Sequence, residues 1–526
     1  VEVRAVAGSI WPVRGVAAWN TIGELKARLL SVDTRFRTHR TELVLGSTVL
    51  GDAETLGECQ VGPGTRFLVV FSDLRAAVLV IGGGVAGYRA IEELSSRMLD
   101  RRIILADARE YSEFAPGILR AYADPAAWES LAVRHEDALS NYPNVEFVQG
   151  ECLRLRPNSA TFGACEDNTE FTIRYDYCVV ATGCAWAPRD VTTTESLWKP
   201  SSLGDMRKSS AWPTLDERSA VGRRRHIVEE HSKLWKVHDK GGCVLVVGAD
   251  YCGVEWACDL AHYFPGLHVT MVDQLPRCLV LLPQDASDYA ERYMQAHGIS
   301  TYYGVAYEPD CQEFWDQVGL PDRADITYIL TGISPTSKFM PPGTLSSRGP
   351  GGGGWIVTNP QLQVCLRLKD DRPAEAWGGG CVFAIGDCHY GAVLASKKRK
   401  CVDAEDITDA FAIPPIPKTV FAATCWAREA SRNILSKMVG FPLNEATWPH
   451  EAGIIAVSLG PLDGVVVQNI DWQANSGQVI LTGEAAAKMK SCLSWPEDPQ
   501  LLTSSSQWLA AFQENLRSCR RLPGAR

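Results

Sequence analysis

Three glycines and an acid have the types and spacing to do chemistry: Gly82, Gly84, Gly87 and Asp107. The glycines form a Gly-x-Gly-x-x-Gly turn between an apolar run at 78–81 (Val-Leu-Val-Ile) and a helical pattern through 90–94 (Ala-Ile-Glu-Glu-Leu). In such a turn the first glycine permits the tight bend and the second lets backbone approach a pyrophosphate. The third lets helix and strand pack closely. The helix start adds free N–H groups and positive potential for the phosphates. Asp107 ends a second apolar run at 103–106, about 20 positions after Gly87, where a carboxylate accepts hydrogen bonds from an adenosine ribose. The plain alternative is a Gly-rich turn that binds nothing. The strand before it, the helix after it and the acid at that distance argue for a dinucleotide.

The spacing recurs. Gly248 and Gly253 follow an apolar run at 243–247, and Asp273 ends another at 268–272, again about 20 positions after the last glycine. A repeated spacing points to a duplicated unit. One departure matters: Asp250 takes the place of the middle glycine, where its bulk crowds a pyrophosphate and its charge repels it. Asp273, for its part, favours the 2′-hydroxyl of NADH over the phosphate of NADPH.

These residues need strands and helices to hold them. Strand-like runs stand at 145–149 and at 175–180, the latter entering Ala181-Thr182-Gly183. Another at 326–331 ends at Gly332, and one at 382–385 ends at Gly386-Asp387. Pro417-Lys418 precedes a helix through Phe421, Trp426, Ile434 and Leu435. Strands alternating with helices make this an α/β protein. The region 185–240 reads as a polar connector whose Arg223-Arg224-Arg225 triplet is a solvated helix face. The glycine-rich stretch 341–354 reads as a mobile loop.

Length and composition set bounds. A chain of 526 residues holds three or more domains, and 46% hydrophobic with 22% charged residues is ordinary for a globular protein. A net charge of −10 argues against nucleic acid as the main partner. No apolar run is long enough for a membrane span, and no secretory signal is visible. The 17 cysteines include no Cys-x-x-Cys pair, so no metal site is expected. Reduced, mostly buried thiols imply an intracellular setting, cytoplasm or mitochondrion.

The two glycine turns, the Ala-Thr-Gly exit and the late Gly-Asp together resemble the two-dinucleotide-binding flavoproteins of the pyridine nucleotide-disulfide oxidoreductase-like superfamily. Residues 88–151 lack the cysteine pair of its disulfide reductases. Gly-Val-Glu at 253–255, Ile-Leu-Arg-Ala at 118–121 and Pro-Lys at 417–418 look like the quinone-reducing branch: type II NADH dehydrogenases and apoptosis-inducing-factor-like ferroptosis-suppressor proteins. Residues 458–464 (Ser-Leu-Gly-Pro-Leu-Asp-Gly) and Ser494-Trp495 are similar to the end of the ferroptosis-suppressor group. The resemblance implies two Rossmann-like domains, FAD as cofactor and NADH as co-substrate. It assigns Gly82, Gly84, Gly87, Asp107, Arg120, Thr182, Gly183, Gly386, Asp387 and Lys418 to FAD, with Asp387 on the ribityl chain. Gly248, Gly253, Glu255, Asp273 and Gly332 fall to NAD. Hydride passes from NADH to flavin and electrons go on to a quinone. Lys418 stabilises charge on the reduced flavin, and Glu255 orients the nicotinamide or assists proton delivery. Asp250 and the long insertions support an alternative, a flavin-binding scaffold with a degenerate NADH site.

Residues 1–73, with a capping box at Thr21-Ile-Gly-Glu24, resemble a ubiquitin-like β-grasp domain without a terminal Gly-Gly. They read equally as a docking module for a protein partner or as a structural appendage. The expected domains are 1–73 (β-grasp), 76–195 (FAD, first part), 239–367 (NAD), 368–450 (FAD, second part, with an insertion at 389–413) and 451–526 (an α+β lobe). The amphipathic tail at 507–521 packs on its own core or touches a membrane surface.

Overall fold

The computed structural model describes residues 1–526 except 6–8, 30–31, 33–39, 73, 166–168, 186–215, 350–352, 370–371, 392–417, 447–453, 472–475 and 493–526. Most of the 389–413 insertion, Ser494-Trp495 and the 507–521 tail therefore lie outside the described residues.

A five-stranded mixed sheet opens the chain, with Glu2–Ala5 between Ile10–Pro12 and Arg66–Ser72, and Arg40–Leu45 and Thr48–Val49 beyond. Helix Ile22–Leu29 sets Ile22, Leu25 and Leu29 into its core beside Val3, Leu43 and Phe67. Its capping box is closed both ways: Glu24 N–H donates to Thr21 Oγ1 (3.1 Å) and Thr21 N–H donates to Glu24 Oε2 (3.0 Å).

The next sheet has four strands in the order Val145–Gln149, Ile103–Asp107, Leu74–Ile81, Glu170–Val180, all parallel, with Val382–Ala384 also parallel to the last. Ser159–Gly163 and Glu151–Arg156 extend it antiparallel. Register decides what this sheet can do. Ile81 pairs with Ala106 and with Val180, and Val180 pairs with Ala384, so these strands end in one row. The residues that follow, Gly82, Asp107, Ala181 and Ile385, leave from the carboxyl edge, where open α/β sheets bind ligands. Helices Val85–Ser95 and Val420–Met438 pack together over one face through Ala86, Ala90, Ala423 and Ala427.

A second parallel sheet runs Ser300–Tyr303, His268–Asp273, Cys243–Val247, Ile326–Ile329 and ends in a similar row, with Val247 opposite Val272 and Ile329. The two units are joined where Cys184–Ala185 pairs antiparallel with Ser334–Pro335. After this crossing the chain returns to the first unit sooner than the 239–367 boundary anticipates. Phe339, Met340, Ile356 and Val364 pack in the core of the first sheet, and Leu155 N–H donates to Phe339 O (3.0 Å). Apolar residues in 339–364 fit either core equally well by composition; the crossing pair decides. Ile455–Leu459, Asp463–Asp471 and Ser476–Thr482 form a three-stranded antiparallel sheet covered by helix Glu484–Cys492. Its Val457, Leu459, Val465 and Val467 pack on the second unit. In the glycine-rich stretch, Pro342–Thr344 forms a 3-10 turn and Ser346 Oγ accepts from Trp355 N–H (3.1 Å). No helix among the described residues is long and apolar enough to cross a membrane.

One expectation fails. Arg223, on helix Ala220–His238, is 1% exposed and not part of a solvated face. Its Nε and Nη2 donate to the two oxygens of Glu113 (2.8 and 3.0 Å), and Nη1 donates to Glu217 Oε1 (2.9 Å) and to the Tyr122 hydroxyl (2.8 Å). His226 Nδ1 lies 2.6 Å from the same Glu217 oxygen. Burial works against the charge of Glu113, but Arg223 outweighs it and holds the carboxyl below its ordinary range. The triplet divides because helical spacing turns only one of three consecutive arginines inward, where Glu217 from just before the helix and Glu113 from elsewhere in the chain receive it. Replacing Arg223 with Ala strands two buried carboxylates, so chemical denaturation of the variant should show a loss of about 3–5 kcal/mol. A loss below about 1 kcal/mol would mean that the network is solvated in solution.

Candidate functional site

The first glycine turn is built by exclusion of side chains. Gly82 has φ +104°, and a Cβ there would stand 2.5 Å from the carbonyl oxygen of Ala181. A Cβ on Gly87 would stand 1.9 Å from the carbonyl oxygen of Gly82, so only glycine lets the helix start this close to the strand end. Gly84 is different: a Cβ there would meet nothing within 4 Å, which leaves the open space that a pyrophosphate needs. Asp107 holds the turn from beside it. Its Oδ2 accepts from Gly83 N–H (2.6 Å) and its Oδ1 from Arg109 N–H (2.8 Å). The acid thus orders the loop as well as standing where the spacing predicts a ribose.

Gly386 and Asp387 reach the same edge. Gly386 (φ +69°) lies between two helix starts, with its hypothetical Cβ 2.9 Å from Ala86 Cβ and 4.0 Å from Ala423 Cβ. Asp387 Oδ1 is buried and has no hydrogen-bond partner among the described residues. Burial pushes its pKa up to about 6, with Lys418 pulling it back down. Lys418 comes just before Thr419, whose side chain caps helix Val420–Met438 by accepting from Ala422 N–H (3.3 Å). Its ammonium donates to His389 O (2.8 Å) and lies 4.5 Å from the centre of the Trp355 ring. Burial lowers its pKa and Asp387 opposes that shift. Thr182 Oγ1 donates to Thr336 O (2.5 Å), and Thr336 N–H donates to Gly183 O (3.1 Å), which places the Ala-Thr-Gly exit at the crossing between units.

The second turn repeats the first. Gly248 has φ +111°, a Cβ on Gly253 would stand 1.8 Å from Gly248 O, and Asp273 accepts from Ala249 N–H (2.6 Å) and Leu275 N–H (2.8 Å). Gly332 (φ +79°) follows the last strand of this unit. Asp250 has φ −86° and ψ −171°, against −85° and −171° at Gly84. The backbone is therefore unstrained by the substitution, and its cost to a ligand is bulk and charge. Asp250 Oδ1 and the hydroxyl of Tyr251 are both buried without hydrogen-bond partners among the described residues. Burial, reinforced by Asp273, pushes the Asp250 pKa up to about 6, with the Tyr251 backbone N–H opposing.

Two of the expected site residues have commitments that the sequence does not reveal. Glu255, on helix Tyr251–Tyr263, is buried, and its Oε1 accepts from Ser458 N–H (3.0 Å) and pairs with Lys490 Nζ (2.8 Å). Arg120 turns to the second unit, with Nη2 3.2 Å from Gly460 O and 3.4 Å from Asp259 Oδ1. Lys490, Trp355 and His135 were not legible as site residues, since no motif marks a lysine, a tryptophan or a histidine that reaches its neighbours only through the fold.

Comparison with known proteins agrees with this architecture. The family model for pyridine nucleotide-disulphide oxidoreductase matches residues 76–404. The type II NADH:quinone oxidoreductase of Staphylococcus saprophyticus is 23% identical over 441 residues, covering 80% of this chain and 94% of that protein. Mitochondrial apoptosis-inducing factor 1 of Dictyostelium discoideum is 24% identical over 318 residues, and the match spans 54% of each. Among solved structures, the sulfide:quinone oxidoreductase of Aquifex aeolicus superposes with a TM-score of 0.55 at 16% identity, covering 86% of this chain and 93% of that one. NDH2 from Plasmodium falciparum, solved in complex with NADH, also gives 0.55, at 13% identity, covering 86% and 99%. At such identities the structural likeness concerns the fold.

The stranded oxygen of Asp387 can be tested without a ligand. With a folded pKa near 6, against an ordinary value of 3.8, the folded protein binds more protons than the unfolded chain between those values. Stability from this group is greatest at low pH and is lost as pH rises through about 6. Asp387→Asn should remove that slope, making the ligand-free protein more stable than wild type by about 3 kcal/mol at pH 7.5 and equal to it near pH 4. Parallel pH–stability curves for the two proteins would contradict a desolvated carboxylate.

Proposed function

The chain belongs to the pyridine nucleotide-disulphide oxidoreductase family, and from that premise we propose that it is an FAD-dependent NADH oxidoreductase delivering electrons to a quinone-type acceptor. One observation carries the reading. A glycine turn open at Gly84, a carboxylate oxygen without a partner at Asp387 and a lysine at a helix start meet at the edge of one sheet, and a second turn of the same build serves the neighbouring sheet. These residues fit FAD. Gly82, Gly84 and Gly87 would take the pyrophosphate, Asp107 the adenosine ribose and Asp387 the ribityl hydroxyls. FAD bound there would supply the redox chemistry, accepting hydride from NADH and passing the two electrons on to the acceptor.

The protein's own task is binding, orientation and charge. Lys418, with the start of helix Val420–Met438, provides the positive potential for negative charge on the flavin ring. Thr182, Gly183 and Gly332 stand at strand exits where backbone can approach the two nucleotides. Gly248, Gly253 and Asp273 hold NADH. Glu255 orients the nicotinamide, with Ser458 N–H and Lys490 holding its Oε1. The type II NADH:quinone oxidoreductase relative supports the choice of reductant and acceptor. The amino-terminal sheet, with its strand order and single capped helix, supports a ubiquitin-like docking domain.

Asp250 favours one second reading, a flavin-binding scaffold that no longer turns over NADH. Anaerobic addition of NADH to the FAD-loaded protein separates the two: bleaching of the flavin band is the expected result, and retained colour would leave the scaffold. Asp250 also predicts the pH profile. Its carboxylate is neutral below about 6 and charged above, so NADH affinity should fall as pH rises through that value. Asp250→Gly should bind NADH about tenfold more tightly at pH 7.5 and lose the dependence. Equal affinities in the two proteins would discredit this role for the acid.

A further inference from the structure

The second glycine turn is braced from outside, and one arginine organises the brace. Ala249, between Gly248 and Asp250, has both of its backbone polar groups engaged. Its N–H donates to Asp273 Oδ2 (2.6 Å), and its carbonyl oxygen accepts from Leu279 N–H (2.8 Å). Both partners lie where the chain leaves strand His268–Asp273 on its way to helix Gln284–Ala296. In the first unit the matching residue is Gly83, whose N–H goes to Asp107 in the same way (2.6 Å). There the buried ring of His135 closes over it, so near that a Cβ on Gly83 would stand 2.2 Å from Cε1.

Leu279 reaches Ala249 in an unusual conformation. Its φ is +48°, a left-handed value that leucine rarely adopts, and its side chain is fully buried. Such strain persists only where the surroundings over-determine it, and ligand clamps are among the places where it collects. Arg277 supplies the constraint. Its Nη1 donates to Leu279 O (3.1 Å) and Cys278 O (3.4 Å), and its Nη2 to Leu282 O (2.8 Å) and Val280 O (3.1 Å). Four carbonyls of one short segment thus converge on a single guanidinium. The planar fork presents its donors in a fixed geometry, so these bonds set the path of the chain. On the other side Cys278, Leu279 and Leu282 are anchored in the core. No other residue of the segment can replace this cation, since Arg277 is the only charged residue between Asp273 and Asp285.

We propose that Arg277 is a positioning residue for NADH: by gathering these carbonyls it holds Leu279 against Ala249 and so fixes the second glycine turn, at the start of helix Tyr251–Tyr263, in the shape that receives the dinucleotide. This rests on the NADH site proposed above. Without the guanidinium the segment is released, and NADH must order the turn as it binds. Affinity then falls, while the hydride step, which the arginine does not touch, is left alone.

The test compares Arg277→Ala with wild type, both loaded with FAD, in steady-state oxidation of NADH with menadione as acceptor. KM for NADH should rise about tenfold in the variant, with kcat within about twofold of wild type and FAD content unchanged. Guanidinium chloride at tens of millimolar should restore the KM, and sodium chloride at the same concentration should not. An unchanged KM overturns the proposal. So does a joint fall in kcat and FAD content, which marks general damage, and so does a raised KM that guanidinium leaves unmoved. Should the alanine variant not fold, Arg277→Lys takes its place, because it keeps the charge on a compact ammonium that cannot span the four carbonyls. The same rise in KM at constant kcat is expected of it, and a wild-type KM overturns the proposal. Wild-type protein that fails to oxidise NADH would instead remove the NADH site, and this inference with it.

Discussion

The structure depends on a helix and a strand being closer than side chains allow. At Gly87 and again at Gly253, the carbonyl oxygen of the turn's first glycine lies less than 2 Å from where a Cβ would be. That approach brings each helix start to the end of its strand, with its N–H groups facing the sheet edge. The remaining site residues are arranged with respect to that edge. Because Ile81, Ala106, Val180 and Ala384 lie in one row, the residues after them leave the sheet together. A register slip of one residue in any of these strands would send Asp107 or Gly386 to the wrong place and turn its neighbours to the opposite face.

The two units share this construction down to the dihedral angles at the middle position of the turn, which agree to about a degree between Gly84 and Asp250. The difference between them is therefore electrostatic. In the first unit the space at Gly84 is open, and Asp387 Oδ1 is one of several buried polar atoms with no hydrogen-bond partner among the described residues. In the second, Asp250 stands at that position, with its Oδ1 and the Tyr251 hydroxyl unpartnered among the described residues. Only the second brings a negative charge to the place that Gly84 leaves open in the first.

Charge also binds the carboxyl-terminal sheet to the second unit. Glu255 takes Lys490 and the Ser458 amide, and Arg120 joins Asp259 to the Gly460 carbonyl. These contacts tie three separate stretches of chain around helix Tyr251–Tyr263, whose inner face packs Trp256, Ala257 and Leu260 into the core. The orientation of Glu255 is thereby coupled to a segment that lies more than 200 residues away in sequence.

What local chemistry encodes was legible in the chain alone: the glycine turns, the acids at the next strand end, the capping box at Thr21 and Glu24, and the apolar runs that became parallel strands. Each rests on contacts between residues close in sequence or on a spacing that the backbone geometry of one supersecondary unit imposes. The fold alone decided the rest. Arg223 is buried because Glu113 and Tyr122 arrive from another segment; residues 339–364 serve the first core because the chain crosses back at Ser334–Pro335; His135 closes on Gly83 only after a separate strand and helix have brought it there. Such contacts join groups far apart along the chain, and composition or periodicity within a window holds no record of which distant group will supply a partner.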